Sequence, residues 1–318
     1  MSQTSTSAQS PAATDAGDRL PRPTSFADVK GWFWPADQLL FDWFLTRQQE
    51  TDLKGDLLEL GAYLGKSAIF TGQYLREGEE FTVCDLWDSP APDDPNSAEM
   101  GRSYATLTRR AFEANYLSFH DELPTLVQAP TSVITSRVGA RSCRFVHVDA
   151  SHLYEHVHGD IEAAKEVLLP QGVVAFDDFR AEHCPGVSAA VWGAVATSGL
   201  KPICITGTKL YGTWGDPTEV REALLPWLEA RTDLWHGVEE VAGRPLIRIK
   251  AGKGTGTPAH PASRHDPEPE PVFEPAPEPA PAPAAPSPRP RPSRARRLAK
   301  DLLPPILTRA LTSSTRRG

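Results

Sequence analysis

The sequence predicts an α/β domain built on a doubly wound, mostly parallel sheet. Three observations carry that prediction. From Asp56 onward, short apolar runs alternate with amphipathic stretches at the interval that right-handed crossovers require. Most of these runs end in an acidic residue or a glycine-containing turn, where a sheet of this kind opens its ligand crevice. Residues 25–250 have the length and apolar content of one large domain with its own core.

Composition sets the borders of that domain. Of the 31 prolines in 318 residues, sixteen lie between Pro258 and Pro305, too dense for a segment that must bury apolar surface. Residues 1–24 are expected to be disordered. Residues 251–292, rich in Pro, Ala and Glu, read as an extended spacer, and residues 293–318 as a basic amphipathic tail.

The elements follow in order. Residues 25–50 read as a helix with Pro35 in its first turn and Trp32, Phe33, Trp34, Phe41, Trp43 and Phe44 packed on the sheet. Asp56–Leu60 is a strand ending in the turn GAYLG, and Lys66–Leu75 is helical. Phe81–Asp85 is a second strand, with a helix over residues 104–117. Thr125–Gln128 reads as a third strand, followed by a short helix to Val138. Arg144–Asp149 is a fourth, and Tyr154–Leu168 an amphipathic helix. Pro170 and Gly172 turn the chain into Val173–Phe176, a fifth strand that ends at Asp177 and Asp178. A helix over 187–198, late strands and a helix at Pro217–Ala230 complete the domain.

Charge and cysteine use exclude several classes. The net charge of −8 divides unevenly, −16 over the first 285 residues and +8 over the last 33. An acidic domain lacks the basic footprint that nucleic acid needs. Cys84, Cys143, Cys184 and Cys204 show no C-x-x-C pair, so neither a disulfide framework nor a zinc knuckle is expected. No apolar run approaches the roughly 18 residues of a membrane span. The first eighteen residues have no basic or apolar signal region, so a cytoplasmic protein is expected. The tail alternates arginines with Leu298, Leu302, Leu303, Ile306 and Leu307. It reads either as a contact for an anionic membrane face or a partner protein, or as a solvated basic end.

Strand ends then supply the candidate site: Glu59 and Gly61, Asp85, Asp149, Asp177 and Asp178. In Glu59–Ser67 (ELGAYLGKS), Gly61 and Gly65 bracket a turn that lets a ligand approach the backbone. A phosphate-cradling loop would need four residues between its glycines before Lys66-Ser67, and here there are three. The pattern E-x-G-x-x-x-G, with an acid 24 residues after Gly61, suits a ligand with a ribose and a cationic group. Asp85 would accept the ribose hydroxyls and Glu59 would face the cation. S-adenosylmethionine carries both features. Glu59, Gly61, Tyr63, Gly65, Lys66, Ser67 and Asp85 are the cofactor candidates.

The segments LELGAYLGKSA, FTVCDLWD, FVHVDASHLYEHVHGDI and LLPQGVVAFDDF carry a family resemblance. In their order and spacing they resemble the class I S-adenosylmethionine-dependent methyltransferases, a Rossmann-like fold. Within these the branch is that of macrocin-type and catechol-type O-methyltransferases. The resemblance spans most of the globular region. It implies an enzyme that transfers methyl to an oxygen of a sugar or a small hydroxylated molecule.

Adjacent strand ends lie ~5 Å apart, so Asp149, Asp177 and Asp178 are expected to converge. Carboxylates that close repel, and a divalent cation, Mg²⁺ by its preference for oxygen, would remove the conflict. The metal-dependent branch resembled here places ligands at these three points. Catechol-type relatives carry a lysine three residues after the first metal acid, where this chain has His152, so His152 is expected to be the general base. His147, His156, His158 and His183 are its alternatives. The loop Trp87–Gly101, with Asp93 and Asp94, reads as a lid or as a surface loop. Tyr154, Trp192, Tyr211 and Trp214 are acceptor-pocket candidates that core packing would equally explain. Two rival functions stay open, a cofactor-binding module without catalysis and a nucleotide-dependent phosphotransferase built on Gly65-Lys66-Ser67.

Overall fold

The computed structural model describes residues 20–90 and 107–266. The expected spacer beyond Asp266, the basic tail, most of the N-terminal segment, and the loop positions 91–101 with Asp93 and Asp94 lie outside the described residues.

Among the described residues nine strands form one sheet: β1 Asp56–Leu60, β2 Phe81–Asp85, β3 Thr125–Gln128, β4 Cys143–Val148, β5 Leu168–Phe176, β6 Lys201–Ile205, β7 Leu210–Thr213, β8 Leu234–Val241 and β9 Arg244–Ala251. Their order is β3-β2-β1-β4-β5-β7-β6-β9-β8. β1 to β5 are mutually parallel, and β7 enters antiparallel to both β5 and β6. The chain winds outward from β1 to β3 and then returns to begin again at β4, so the switch point lies between β1 and β4. A sheet with this arrangement opens its crevice at the carboxyl ends of those two strands. Gly61 and Asp149 are the first residues beyond them.

Helices α1 Pro35–Glu50, α2 Lys66–Gly72, α3 Arg109–Leu117, α4 Tyr154–Val167, α5 Pro185–Thr197 and α6 Thr218–Glu229 cover the sheet. Side chains alternate along each strand, so every central strand feeds two cores. Leu57, Phe145, Val173 and Ala175 pack with Phe41, Phe44 and Leu45 of α1 and Ile69 and Phe70 of α2. Leu58, Val146, Val148, Val174 and Phe176 pack with Ile161 and Val167 of α4 and Val191 of α5. This is a doubly wound, Rossmann-like α/β fold, as the alternation predicts.

Three details depart from the sequence expectation. Trp32 and Trp34, expected in the core, stay 65% and 55% exposed because α1 starts only at Pro35. β5 begins at Leu168, directly after α4, and takes the expected Pro170-Gly172 turn into a register shift against β4. A bulge of this kind accommodates a proline that cannot donate to the ladder. The first residues of the expected spacer lie against the domain as far as Asp266: His260 stacks on Phe26, Ser263 donates to Pro23 O, and Arg264 N–H donates to Ser118 O. Among the described residues no helix is long and apolar enough to cross a membrane.

Candidate active site

The β1–α2 turn is shaped by backbone contacts. Gly61 has φ +79°, and a Cβ there would lie 2.1 Å from the carbonyl oxygen of Asp149, so no larger residue fits. Asp149 N–H donates to Leu60 O and Gly61 N–H to Cys84 O, which seals the switch point to its neighbours. Gly65 caps α2 at φ +91°, against the Phe112 ring. Asp85 holds the turn from the next strand. Its Oδ2 accepts from Ala62 N–H at 2.7 Å and Tyr63 N–H at 3.0 Å, and its Oδ1 accepts from Trp87 N–H at 2.7 Å. Burial raises the Asp85 pKa against those bonds. Each carboxylate oxygen has two acceptor sites, so positions remain for ligand hydroxyls.

Beside this turn lies a cavity of about 940 Å³, lined by Gly61, Tyr63, Asp85, Pro130, Asp149 and His156, among others. That is room for a nucleoside-sized ligand. Of the seven cofactor candidates, Gly61, Tyr63 and Asp85 face it; Glu59, Gly65, Lys66 and Ser67 do not. Lys66 turns instead toward Phe26, its Nζ 5.5 Å from the ring centre.

Glu59 is the clearest displacement. It was expected to meet the cofactor, but it is fully buried beneath the turn. Its register partner on β4 is His147, and neighbouring strand residues project to the same face. Oε1 accepts from Ser67 Oγ and lies 3.1 Å from His147 Nδ1, while Oε2 has no partner among the described residues. Burial pushes the Glu59 carboxyl up to about 8, with the Ser67 bond working the other way.

The acids beyond β4 and β5 separate into two groups. His147, Asp149 and Asp177 bring ligand atoms within 4.8 Å of one another; Asp178 is not among them. Consecutive residues leaving a strand point to opposite sides, and Asp178, at φ +52°, turns to His152 instead. Its Oδ2 lies 2.9 Å from His152 Nε2, and that bond, ahead of the burial that opposes it, holds the Asp178 pKa below the ordinary value. His183 meets His152 edge to face at 5.6 Å.

The sequence reading missed the centre of the first group, Lys209. This side chain is 1% exposed, donates to Asp177 Oδ2, and lies 3.0 Å from His147 Nε2. Burial works against its charge, but Asp177, Asp149 and Asp37 more than offset that and keep it an ammonium. Asp37, also missed, comes from the first turn of α1 and accepts from Thr206, Thr208 and Tyr211 hydroxyls. Tyr211, an acceptor-pocket candidate, is thereby a core residue. No motif marks Lys209; a lysine between two apolar strands was the one available signal.

The Mg²⁺ expected at Asp149, Asp177 and Asp178 can be tested on these contacts. Asp177 has one oxygen on Lys209 and the other on Asp178 N–H, and Asp178 has Oδ2 on His152. His147 has one nitrogen toward Lys209 and the other toward Glu59. An octahedral ion needs several open oxygen ligands around one point. Asp178 stands outside the cluster that His147, Asp149 and Asp177 form, so the three acids do not supply one set of ligands around a single point.

Residues 58–179, which include the turn, the cavity strands and the Asp178–His152 pair, match a family model described as a methyltransferase domain. Over residues 58–179 the chain carries a methyltransferase domain. It is similar to the TDP-rhamnose 3'-O-methyltransferase of calicheamicin biosynthesis, at 20% identity and TM-score 0.39, over 57% of this chain and 80% of that one. It is also similar to the O-methyltransferase NovP, at 16% identity and TM-score 0.44, over 56% and 79%. A third likeness is to the O-methyltransferase from Bacillus cereus in complex with SAH, at 13% identity and TM-score 0.38, over 59% and 85%. No curated protein matches this chain in sequence.

Proposed function

We propose that this methyltransferase transfers the methyl group of S-adenosylmethionine to a hydroxyl oxygen of a sugar or small hydroxylated acceptor, with His152 as general base. The observation that carries the reading is the Asp178–His152 pair, 2.9 Å between Oδ2 and Nε2, one loop away from the cavity that Asp149 borders. Gly61, Tyr63 and Asp85 would hold the cofactor, with Asp85 toward the ribose. The sugar class of acceptor rests on the resemblance of the four motif segments and is the finer part of the proposal.

The chemistry then follows from the residues. Asp178, bonded to His152 Nε2, favours the imidazolium once formed. His152 takes the acceptor's hydroxyl proton while the oxygen lone pair attacks the methyl carbon. The carbon–sulfur bond breaks, its electron pair stays on sulfur, and the sulfonium becomes a neutral thioether. Positioning in line supplies most of the rate, and a general base contributes about 10²–10⁴-fold.

The test combines binding with turnover. S-adenosylhomocysteine should raise the melting temperature and ATP should not; stabilisation by ATP alone would end the reading. With labelled cofactor and a panel of sugars and hydroxylated metabolites, His152→Ala should lower kcat by about 10²-fold or more. Its affinity for S-adenosylhomocysteine should stay within about twofold, because His152 does not line the cavity.

A further inference from the structure

The Lys209 ammonium donates to Asp177 at the end of β5, and Asp177 has a carboxylate oxygen within 4.8 Å of one of Asp149 at the end of β4. Lys209 itself lies immediately before β7, the strand that enters the sheet antiparallel beside β5. Phe33 and Phe41 close the other side, their ring centres 5.9 and 6.0 Å from Nζ. A lysine so buried is costly unless paired, and this one is paired to Asp177 and directed at His147. The lone pair of His147 Nε2 receives an ammonium proton, so Nδ1 carries the ring proton and donates to Glu59 Oε1. The cation thus orders a chain from Asp177 through His147 to Glu59 and Ser67, beneath both strand ends of the switch point.

We propose that Lys209 is the resident cation of the Asp149–Asp177 cluster, a positioning residue that takes the place a divalent metal would hold there. It deepens the proposed reaction and rests on it only in one respect, that methyl transfer by the wild-type chain proceeds without a divalent ion. The charge arithmetic explains why one position cannot hold both. An ammonium and a divalent ion sharing the Asp177 carboxylate would repel at contact distance, and the lysine, tethered to the sheet, has the higher effective concentration.

The experiment is a titration of the full chain with Mn²⁺, read by the loss of the free-ion electron paramagnetic resonance signal. Wild type should show no saturable 1:1 binding below about 1 mM, whereas Lys209→Gln should bind one Mn²⁺ at least about tenfold more tightly. Adding Asp177→Asn to that variant should abolish the gain. Mn²⁺ should also raise the melting temperature of Lys209→Gln and leave wild type unmoved. Tight 1:1 binding by wild type that Asp177→Asn removes would overturn the proposal, as would a folded Lys209→Gln that binds no ion. If Lys209→Gln does not fold, the wild-type titration decides alone, with Lys209→Arg, which keeps the charge, expected to behave like wild type. S-adenosylhomocysteine affinity, measured on the same samples, separates the two readings. Its absence would sink the methyltransferase mechanism and leave the cation assignment standing or falling on Mn²⁺.

Discussion

Glu59 shows how a single buried group ties a cofactor motif to stability. Its carboxyl keeps a proton in the fold up to about pH 8, while the unfolded chain loses it near the ordinary value of 4.5. Between those two pH values the native state binds more protons than the unfolded one, so stability falls as pH rises and levels off above about 8. Glu59→Gln removes the titrating group and leaves an oxygen for Ser67 and His147. Across that window its melting temperature should fall less than that of wild type, by an amount equivalent to roughly 3–5 kcal/mol. Parallel pH profiles of the two chains would show the carboxyl ionised throughout. Chain spacing placed Glu59, Asp85, Asp149, Asp177 and Asp178 at strand ends, and they are there, with His152 three residues past Asp149. It could not tell which way each side chain turns. Glu59 points under the sheet's end and Asp178 away from Asp177, because alternation along a strand assigns neighbours to opposite sides. Lys209 and Asp37 join the site from turns and helices far away in sequence, where no motif marks them.

At the scale of elements, the β1–α2 turn carries the greatest demand on geometry. Gly61 must have φ +79° and leaves no room for a Cβ against Asp149 O, whereas Gly78, at φ +82°, has nothing within 4 Å. Both glycines are in the left-handed region, so alanine at either costs about 1 kcal/mol in backbone strain. Only Gly61→Ala adds a clash between backbone atoms of β1 and β4. Chemical denaturation should therefore find Gly78→Ala within about 1 kcal/mol of wild type and Gly61→Ala down by about 3 kcal/mol or more. S-adenosylhomocysteine binding should be lost only in Gly61→Ala. Equal losses for the two variants would mean that the strand ends can part without cost. The elements themselves were largely readable. β1, β2 and β3 begin and end where the apolar runs do, since a parallel strand buried on both faces is a continuous apolar run. The extension of β5 back to Leu168 was not readable, because Pro170 and Gly172 look like a turn until β4 supplies the partner that turns them into a bulge.

For the molecule as a whole, the end of the sheet opposite the cavity is held by a second ionic network. Arg144, fully buried on β4, donates to Glu79 before β2, to Gln48 of α1 and to Tyr74 O after α2. Burial works against the Glu79 charge, but the bonds from Arg144 and Arg76 prevail and bring its carboxyl down to about 2. A depressed acid stabilises the fold above its unfolded value near 4.5, and that contribution disappears as pH falls toward 2. Glu79→Gln strands a buried guanidinium and should cost about 3 kcal/mol at neutral pH. The difference from wild type should narrow below pH 4 in urea melts; a constant difference down to pH 2 would exclude Glu79 ionisation as its source.

From the linear chain alone came the α/β class, the order of its elements, the resemblance to a class of enzyme and the strand ends where its candidate site gathers. Those follow from periodicity and from glycines and acids at fixed offsets, which are local properties of a chain. Which acids face the cavity, which is turned to His152, and that a lysine before β7 sits among the others were decided only by folding. Charge balance in a buried cluster is a property of distances between elements, and sequence spacing does not contain them.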